Sequence, residues 1–412
     1  MKDEMQRQVS ETVRRRLEDE EEIDDGKVDR VIDEALLDAI GDRYIPLAVK
    51  LSIKKDVFNS IRRFDVLSNL LEDEDITEIM INGYDRIFLE KAGRIERSEV
   101  SFESQEKLMT VVQNIVSRTN RRVNETNPIA DAILPDGSRV NIVLNGVSCD
   151  GTTVTIRKFP KEIMGMKELI ELGAIDRGTA DFLGVLVKAG YNIFISGGTG
   201  AGKTTFLNAL SEYIPKDERV ITIEDSAELR IKGVENLVRL EARTTNVEGE
   251  NEITIRDLIR TSLRMRPDRI IVGECRDAAA IDMLAAMNTG HDGSISTGHA
   301  NSAEDMMLRL ESMVLMGVEL PVLAIRQQIA SAIDIVIHLG RLRDRSRKVL
   351  GISEVIGMKD GEIILSKLYE FEEDSEKTGR IVGHLKKVKD LMHVGKLASA
   401  GYLNVIREET AV

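Results

Sequence analysis

The segment Gly197-Gly198-Thr199-Gly200-Ala201-Gly202-Lys203-Thr204 has the residue types and spacing of a loop that grips phosphate. Glycines let successive backbone N–H groups turn toward one anion, and a helix starting at the end of the loop adds its partial positive charge. Lys203 is placed to reach the β- and γ-phosphates of a nucleotide, and the Thr204 hydroxyl to ligate Mg²⁺. Thr205 continues the first helical turn. The pattern G-x-x-x-x-G-K-[ST] is met in full, and its flanks fit: Tyr191–Ser196 reads as an apolar strand and Thr205–Leu210 as a helix. A Gly-rich turn with a stray Lys would lack that frame.

Four further groups carry chemistry. Ile221-Thr222-Ile223-Glu224-Asp225 is a short strand ending in two carboxylates, which can hold Mg²⁺ through water or orient an attacking water. In Arg269-Ile270-Ile271-Val272-Gly273-Glu274 an apolar strand ends in a small residue and one Glu, which suits Glu274 as a general base near a γ-phosphate. His291 and His299 flank a Gly/Ser/Thr-rich strand. No Cys/His/Glu set at zinc spacing surrounds them, so hydrogen bonding to phosphate or to Glu274 is expected. Hydrolysis also needs cations to neutralise charge developing on the γ-phosphoryl group. Arg264, Arg266 and Arg276 lie near Glu274 in sequence, and Arg139 and Arg157 lie in the preceding domain; a surface salt bridge is the plainer role for each taken alone.

The elements that must position these groups are legible in outline. Residues 1–62 are charged and helical, with Val28, Val31, Ile32, Ala35, Leu36 and Ala39 at helical spacing and an acidic block from Glu18 to Asp25. Residues 63–157 read as an α+β module, with strands at Ile76–Gly83, Arg86–Glu90, Val140–Leu144 and Thr152–Arg157 and a helix over Leu108–Val116. Residues 158–165 read as a linker. From 166 to 375 strands and helices alternate, which predicts a parallel sheet covered on both faces, with further β-like runs at Ile335–Leu339, Val349–Ile356 and Glu362–Leu365. Residues 376–412 are basic and amphipathic, and a small docking helix is expected there.

Composition bounds the partners. Of 412 residues 42% are hydrophobic, enough for real cores, and with 4% aromatics and no Trp these should pack through Leu, Ile, Val and Met. A net charge of −14 argues against a polyanion bound over the whole surface. The two cysteines, Cys149 and Cys275, make no C-x-x-C and suit a reducing compartment. The chain shows neither a signal-peptide pattern nor a run of transmembrane length, so a cytoplasmic protein is expected, reaching a membrane only through something else.

Taken together, these residues resemble the ATPase superfamily of type II and type IV secretion systems. The phosphate loop, the Glu224-Asp225 box, Leu263–Arg276 and Thr289–Asn301 occur in that superfamily's order. Within it, Arg266–Glu274, Ala285–Ser294, Leu134–Asn141 and Gln327–Asp334 look like the CpaF-like branch of Flp/Tad pilus assembly, and the likeness runs from about residue 60 to 372. It implies a RecA-like P-loop NTPase core with a preceding α+β domain and a short helical N-terminal extension. It also implies ATP and Mg²⁺ as cofactors, a homohexameric ring, and ATP held between the two domains, with closure hinging at the linker. The ring would dock peripherally on an inner-membrane platform, with no direct nucleic-acid binding. Glu274 would be the catalytic glutamate, with Arg139 and Arg157 approaching the phosphates. A conjugation or DNA-transport ATPase shares this core; a phosphotransferase and a nucleotide-switched scaffold are the other readings open. Two positions depart from the family pattern: Cys275, expected to pack as a small hydrophobe, and Gly298, expected to loosen the loop of His299.

Overall fold

The computed structural model of the chain describes residues 2–17, 25–41, 43–62, 64–117, 122–159, 164–243, 251–374, 379 and 381–404. Most of the predicted acidic block, the middle of the 158–165 linker and the last eight residues lie outside the described residues. The chain divides into two compact units, Met1–Lys161 and Glu162–Val412.

In the first unit, helices α1 (Lys2–Leu17), α2 (Asp25–Ile40) and α3 (Leu47–Arg62) close on one another. Their contact is made by apolar residues four apart: Val9 and Val13, Val28 and Ile32, Ile53 and Val57, all fully buried. Helix α4 (Val66–Glu72) leads into β1 (Ile76–Asn82), β2 (Ile87–Lys91), β3 (Arg94–Arg97), α5 (Gln105–Ser117), β4 (Ile129–Ile133), β5 (Arg139–Val143) and β6 (Thr153–Arg157). The strands form one antiparallel sheet in the order β3-β2-β1-β6-β5-β4. Alternation sets its faces: Ile79 and Ile81 of β1 turn inward with Leu108 and Val112 of α5, while Glu78 and Met80 turn the other way. Strand β4 was not expected; it reads Ile-Ala-Asp-Ala-Ile, too poor in β-branched residues to signal a strand.

The second unit contains α6 (Met166–Glu171), α7 (Arg177–Lys188), β7 (Ile193–Gly197), α8 (Lys203–Ser211), β8 (Val220–Glu224), β9 (Leu237–Glu241), α9 (Ile255–Ser262), β10 (Arg269–Val272), α10 (Ala279–Asn288) and β11 (Ile295–Gly298). It continues through α11 (Ala303–Gly317), α12 (Val322–Ala332), β12 (Ile335–Arg341), β13 (Arg347–Lys359), β14 (Glu362–Glu373), β15 (Gly383–Lys387) and α13 (Gly395–Ser399). Nine strands form one sheet, β15-β14-β13-β12-β7-β11-β10-β8-β9, parallel from β12 to β9. Each central strand feeds two cores. Ile193 and Ile195 of β7 join Leu183, Leu186, Leu207 and Leu210 on one face, while Phe194 joins Met283, Met306 and Ile329 on the other. Burial on both faces explains why these strands are apolar runs without alternation. In such a sheet the carboxyl ends of all parallel strands open on one edge, where ligands bind.

A small helix, α13, docks through Leu397, which is fully buried in the second unit, but residues 383–387 of the same segment form β15, paired with β14 and with Lys386 against Glu372. Helix α13 is only one turn long. Among the described residues, no helix is long and apolar enough to cross a membrane.

Candidate functional site

Strand β7 ends at Gly197, where an added Cβ would lie 2.6 Å from the Leu339 carbonyl oxygen on β12, so only glycine fits between the strands. The chain then turns through Gly200 at φ +71° and Gly202 at φ +92°, the left-handed conformation that L side chains rarely adopt. Gly202 caps α8, whose first N–H groups have no carbonyl within the helix to bind. Gly198 and Gly200 border open space, and Thr199 is exposed, so the rim of the loop faces outward. Thr204 and Thr205 stand half-buried on the first turn. Lys203 is buried, and its Nζ donates to the carbonyls of Gly197 and Gly198, each at 3.1 Å.

A string of polar contacts runs from this lysine across the same edge. Nζ of Lys203 is 3.3 Å from Nδ1 of His299, which follows β11. Nε2 of His299 is 3.1 Å from Oε1 of Glu274, which follows β10. Oε2 of Glu274 accepts from Arg276 at 2.7 Å, and the same guanidinium reaches Asp225 at 3.2 Å. The carboxylate can only accept, so Nε2 carries the imidazole proton and Nδ1 offers its lone pair to Lys203. Burial, then the charge of Lys203, holds His299 below its ordinary pKa, so the ring is neutral near pH 7. For Glu274, burial pushes upward, but the hydrogen bond and charge of Arg276, with Lys203 behind, outweigh it and the net shift is downward. Glu274 is therefore a firmly ionised carboxylate, suited to polarising and aiming a water and a weak sink for its proton.

Glu224 stands apart from that string. It is buried at the end of β8, and its Oε1 accepts from the backbone N–H groups of Glu228 and Leu229 at 3.0 and 2.8 Å. Oε2 is buried and makes no hydrogen bond among the described residues. Burial pushes the carboxyl up to about 7, against the pull of those two amides. Its Cγ would lie 2.9 Å from a Cβ at position 273, which is why a glycine precedes Glu274. A buried carboxylate oxygen with no partner suits a cation shell, directly or through water, and with the Thr204 hydroxyl supplies oxygen donors that fit Mg²⁺.

Other predicted residues fall as follows. His291 precedes β11, whose register with β7 runs from Ile295↔Ile193 to Gly298↔Ser196, so it lies at the edge where β7 begins. Its Nδ1 is 3.2 Å from the Ala286 carbonyl. Of the two histidines expected to hydrogen-bond to phosphate or to Glu274, only His299 lies at the phosphate-loop edge, because the strand between them puts them at opposite edges. Arg264 and Arg266 are exposed and precede β10, so of the three nearby arginines only Arg276 meets Glu274. The expected loosening at Gly298 is not met, because a Cβ there would lie 2.9 Å from Met306 and Phe194, which already fill the space. Cys275 is buried in the core beside β10, its thiol pushed up to about 12 by burial. In the first unit Arg139 and Arg157 are directly paired across β5 and β6, two cations side by side on one face of the sheet.

Sequence reasoning missed Arg347. It begins β13, and its Nε donates to the Gly200 carbonyl in the phosphate loop at 2.7 Å. Only the register of β12 beside β7 brings the β12–β13 hairpin to this loop, and nothing in the local residues announces that pairing.

Residues 62–382 match the family model described as type II/IV secretion system protein. A putative conjugal transfer protein of Mycobacterium tuberculosis is 34% identical over 304 residues, covering 72% of this chain and 86% of that protein. The type IV secretion system protein PtlH homolog of Bordetella bronchiseptica is 34% identical over 296 residues, covering 66% and 87%. Among solved structures, the Legionella pneumophila ATPase DotB matches with a TM-score of 0.50 and 22% identity over 70% of this chain and 79% of that one. The pilus retraction motor PilT with bound ADP matches with a TM-score of 0.50 and 19% identity over 84% and 88%. At those identities the two structures establish the shared RecA-like P-loop fold alone. With the family model covering most of the chain and two relatives each 34% identical over 86% and 87% of their own lengths, this chain belongs to the type II/IV secretion system ATPase family.

Proposed function

We propose that the chain is an ATP-hydrolysing motor. The observation that carries this is the unbroken contact string Lys203–His299–Glu274–Arg276–Asp225 at the phosphate-loop edge. Lys203 and the loop amides bind the phosphates, Lys203 exchanging its carbonyl and imidazole partners for phosphate oxygens. Thr204 holds Mg²⁺, with Glu224 and Asp225 acting through water; the ion would supply neutralisation of phosphate charge. Glu274 aims the attacking water, and Arg276 and Asp225 hold that carboxylate in place. His299 reads the γ-phosphate from between Lys203 and Glu274. Arg139 and Arg157, paired on one face of the first unit's sheet, are the cations suited to neutralising charge on a γ-phosphoryl group.

The finer reading is a homohexamer at the cytoplasmic face of an inner-membrane platform, driving pilus assembly of the Flp/Tad type. The relatives named as conjugal transfer proteins favour a second reading, a motor of a conjugative type IV system. Adjacent pilin and platform genes would support the first and adjacent conjugation genes the second. Hydrolysis is tested by phosphate release from Mg·ATP with no acceptor present: steady turnover is expected, and tight ATP binding without release would make the chain a nucleotide-switched scaffold. Light scattering with and without ATP tests the ring, and a strict monomer in both states would defeat it.

A further inference from the structure

Strand β12 carries a histidine at position 338, at the phosphate-loop edge of the sheet. In the β12–β7 register His338 lies opposite Ser196, the residue immediately before Gly197. Its Nδ1 is 2.9 Å from the Ser196 hydroxyl. The ring also donates to the backbone carbonyl of Asn301, two residues beyond His299. The charges facing it are Glu304 and Asp305, in the first turn of α11. The ring is half-buried, and burial keeps it neutral, so it offers one N–H and one lone pair. The serine hydroxyl donates to Nδ1, which leaves the other nitrogen to donate. The imidazole thus spans two loops: the one that holds Lys203 and the one that holds His299.

We propose that His338 is a positioning residue that fixes the His299 loop against the base of the phosphate loop. The inference rests on the hydrolase reading above and names a part of that same site. Lys203 and His299 meet at 3.3 Å, and His299 meets Glu274 at 3.1 Å, so a shift of the His299 loop moves the partner that orients Glu274. The amides of the phosphate loop do not depend on that tie. An apolar side chain at 338 leaves the Ser196 hydroxyl only the Ile337 carbonyl, at 3.5 Å. Misplacement of a catalytic group by about 1 Å costs on the order of 100-fold, and a partial slackening about tenfold. Loss of the tie therefore lowers kcat while leaving nucleotide affinity nearly unchanged.

The test uses the full chain carrying His338→Leu, with His338→Gln as the variant that keeps one donor and one acceptor. We expect kcat with Mg·ATP to fall about tenfold in His338→Leu and to recover partly in His338→Gln, with the Kd for ATP within about twofold of wild type. The fall should vanish in a His299→Ala background, because His338 acts through His299. Without nucleotide, the His299 ring resonances should move in His338→Leu. Unchanged kcat with unmoved His299 resonances would overturn the proposal, as would an equal fall in the His299→Ala background. If wild type itself releases no phosphate, the hydrolase reading fails, and the His299 resonances still decide the tie.

Discussion

Two lysines sit at opposite edges of the same sheet, and their surroundings separate a working edge from a structural one. Lys203, at the edge where the parallel strands end, donates to two loop carbonyls and faces a neutral imidazole. Lys396, at the edge where they begin, donates to the Gly190 carbonyl and is paired with Asp334 at 2.8 Å and Asp292 at 2.7 Å. Around Lys396 the polar groups are closed on one another. Asn192 donates to the carbonyls of Met287 and Ala332, accepts from Ser294, and its own N–H meets Asp334. On the strands leading to the working edge, Thr222, Ser296 and Glu224 each hold a buried oxygen that makes no hydrogen bond among the described residues. Two carbonyls and an imidazole are partners that phosphate oxygens can replace, whereas the two carboxylates on Lys396 hold it in place.

The contrast is open to breakage at each edge. Lys203→Ala should weaken ATP binding by 100-fold or more, whereas Lys396→Ala should leave it unchanged and lower only the melting temperature; titration with a fluorescent nucleotide beside a thermal melt checks both. Glu224→Gln should stabilise the nucleotide-free protein in a pH-dependent way. The folded carboxyl titrates at about 7 against 4.5 in the unfolded chain, so the folded state binds more protons between those values and stability falls as pH rises through them. The gain from Gln should grow from near zero at pH 4.5 to about 3 kcal/mol at pH 8 in denaturant melts. A constant gain across pH would break the account of that carboxyl.

At the structural edge, Asn192→Ala should cost about 2 kcal/mol of stability with kcat per folded molecule retained, since it strips partners from groups that are buried. Arg347→Ala should raise KM about fivefold with little change in kcat, because it releases the Gly200 carbonyl and nothing at Glu274. Smallest of all, His291→Ala should leave kcat within about twofold, whereas His299→Ala should lower it tenfold or more; equal effects would return His291 to the site.

How much of this was legible in the sequence depends on the range of the forces involved. The phosphate loop and strands β7, β8, β10 and β11 announce themselves, because glycine spacing and short apolar runs are local signals. Glu274 is legible for the same reason, since it directly follows such a run. His291 misled because two histidines eight residues apart look like neighbours, while the four-residue strand between them carries them to opposite edges. Gly298 misled because the side chains that fill its space, Met306 and Phe194, come from α11 and β7. Arg347 and β15 were invisible, each depending on a strand pairing that no local pattern specifies.

The central claim is that Glu274 aims the water that attacks ATP held by Lys203 and the loop. Phosphate release by Glu274→Gln, measured beside its ATP affinity, tests it most directly. The account predicts turnover reduced by 100-fold or more with ATP still bound about as tightly as by wild type. Turnover equal to wild type would contradict it.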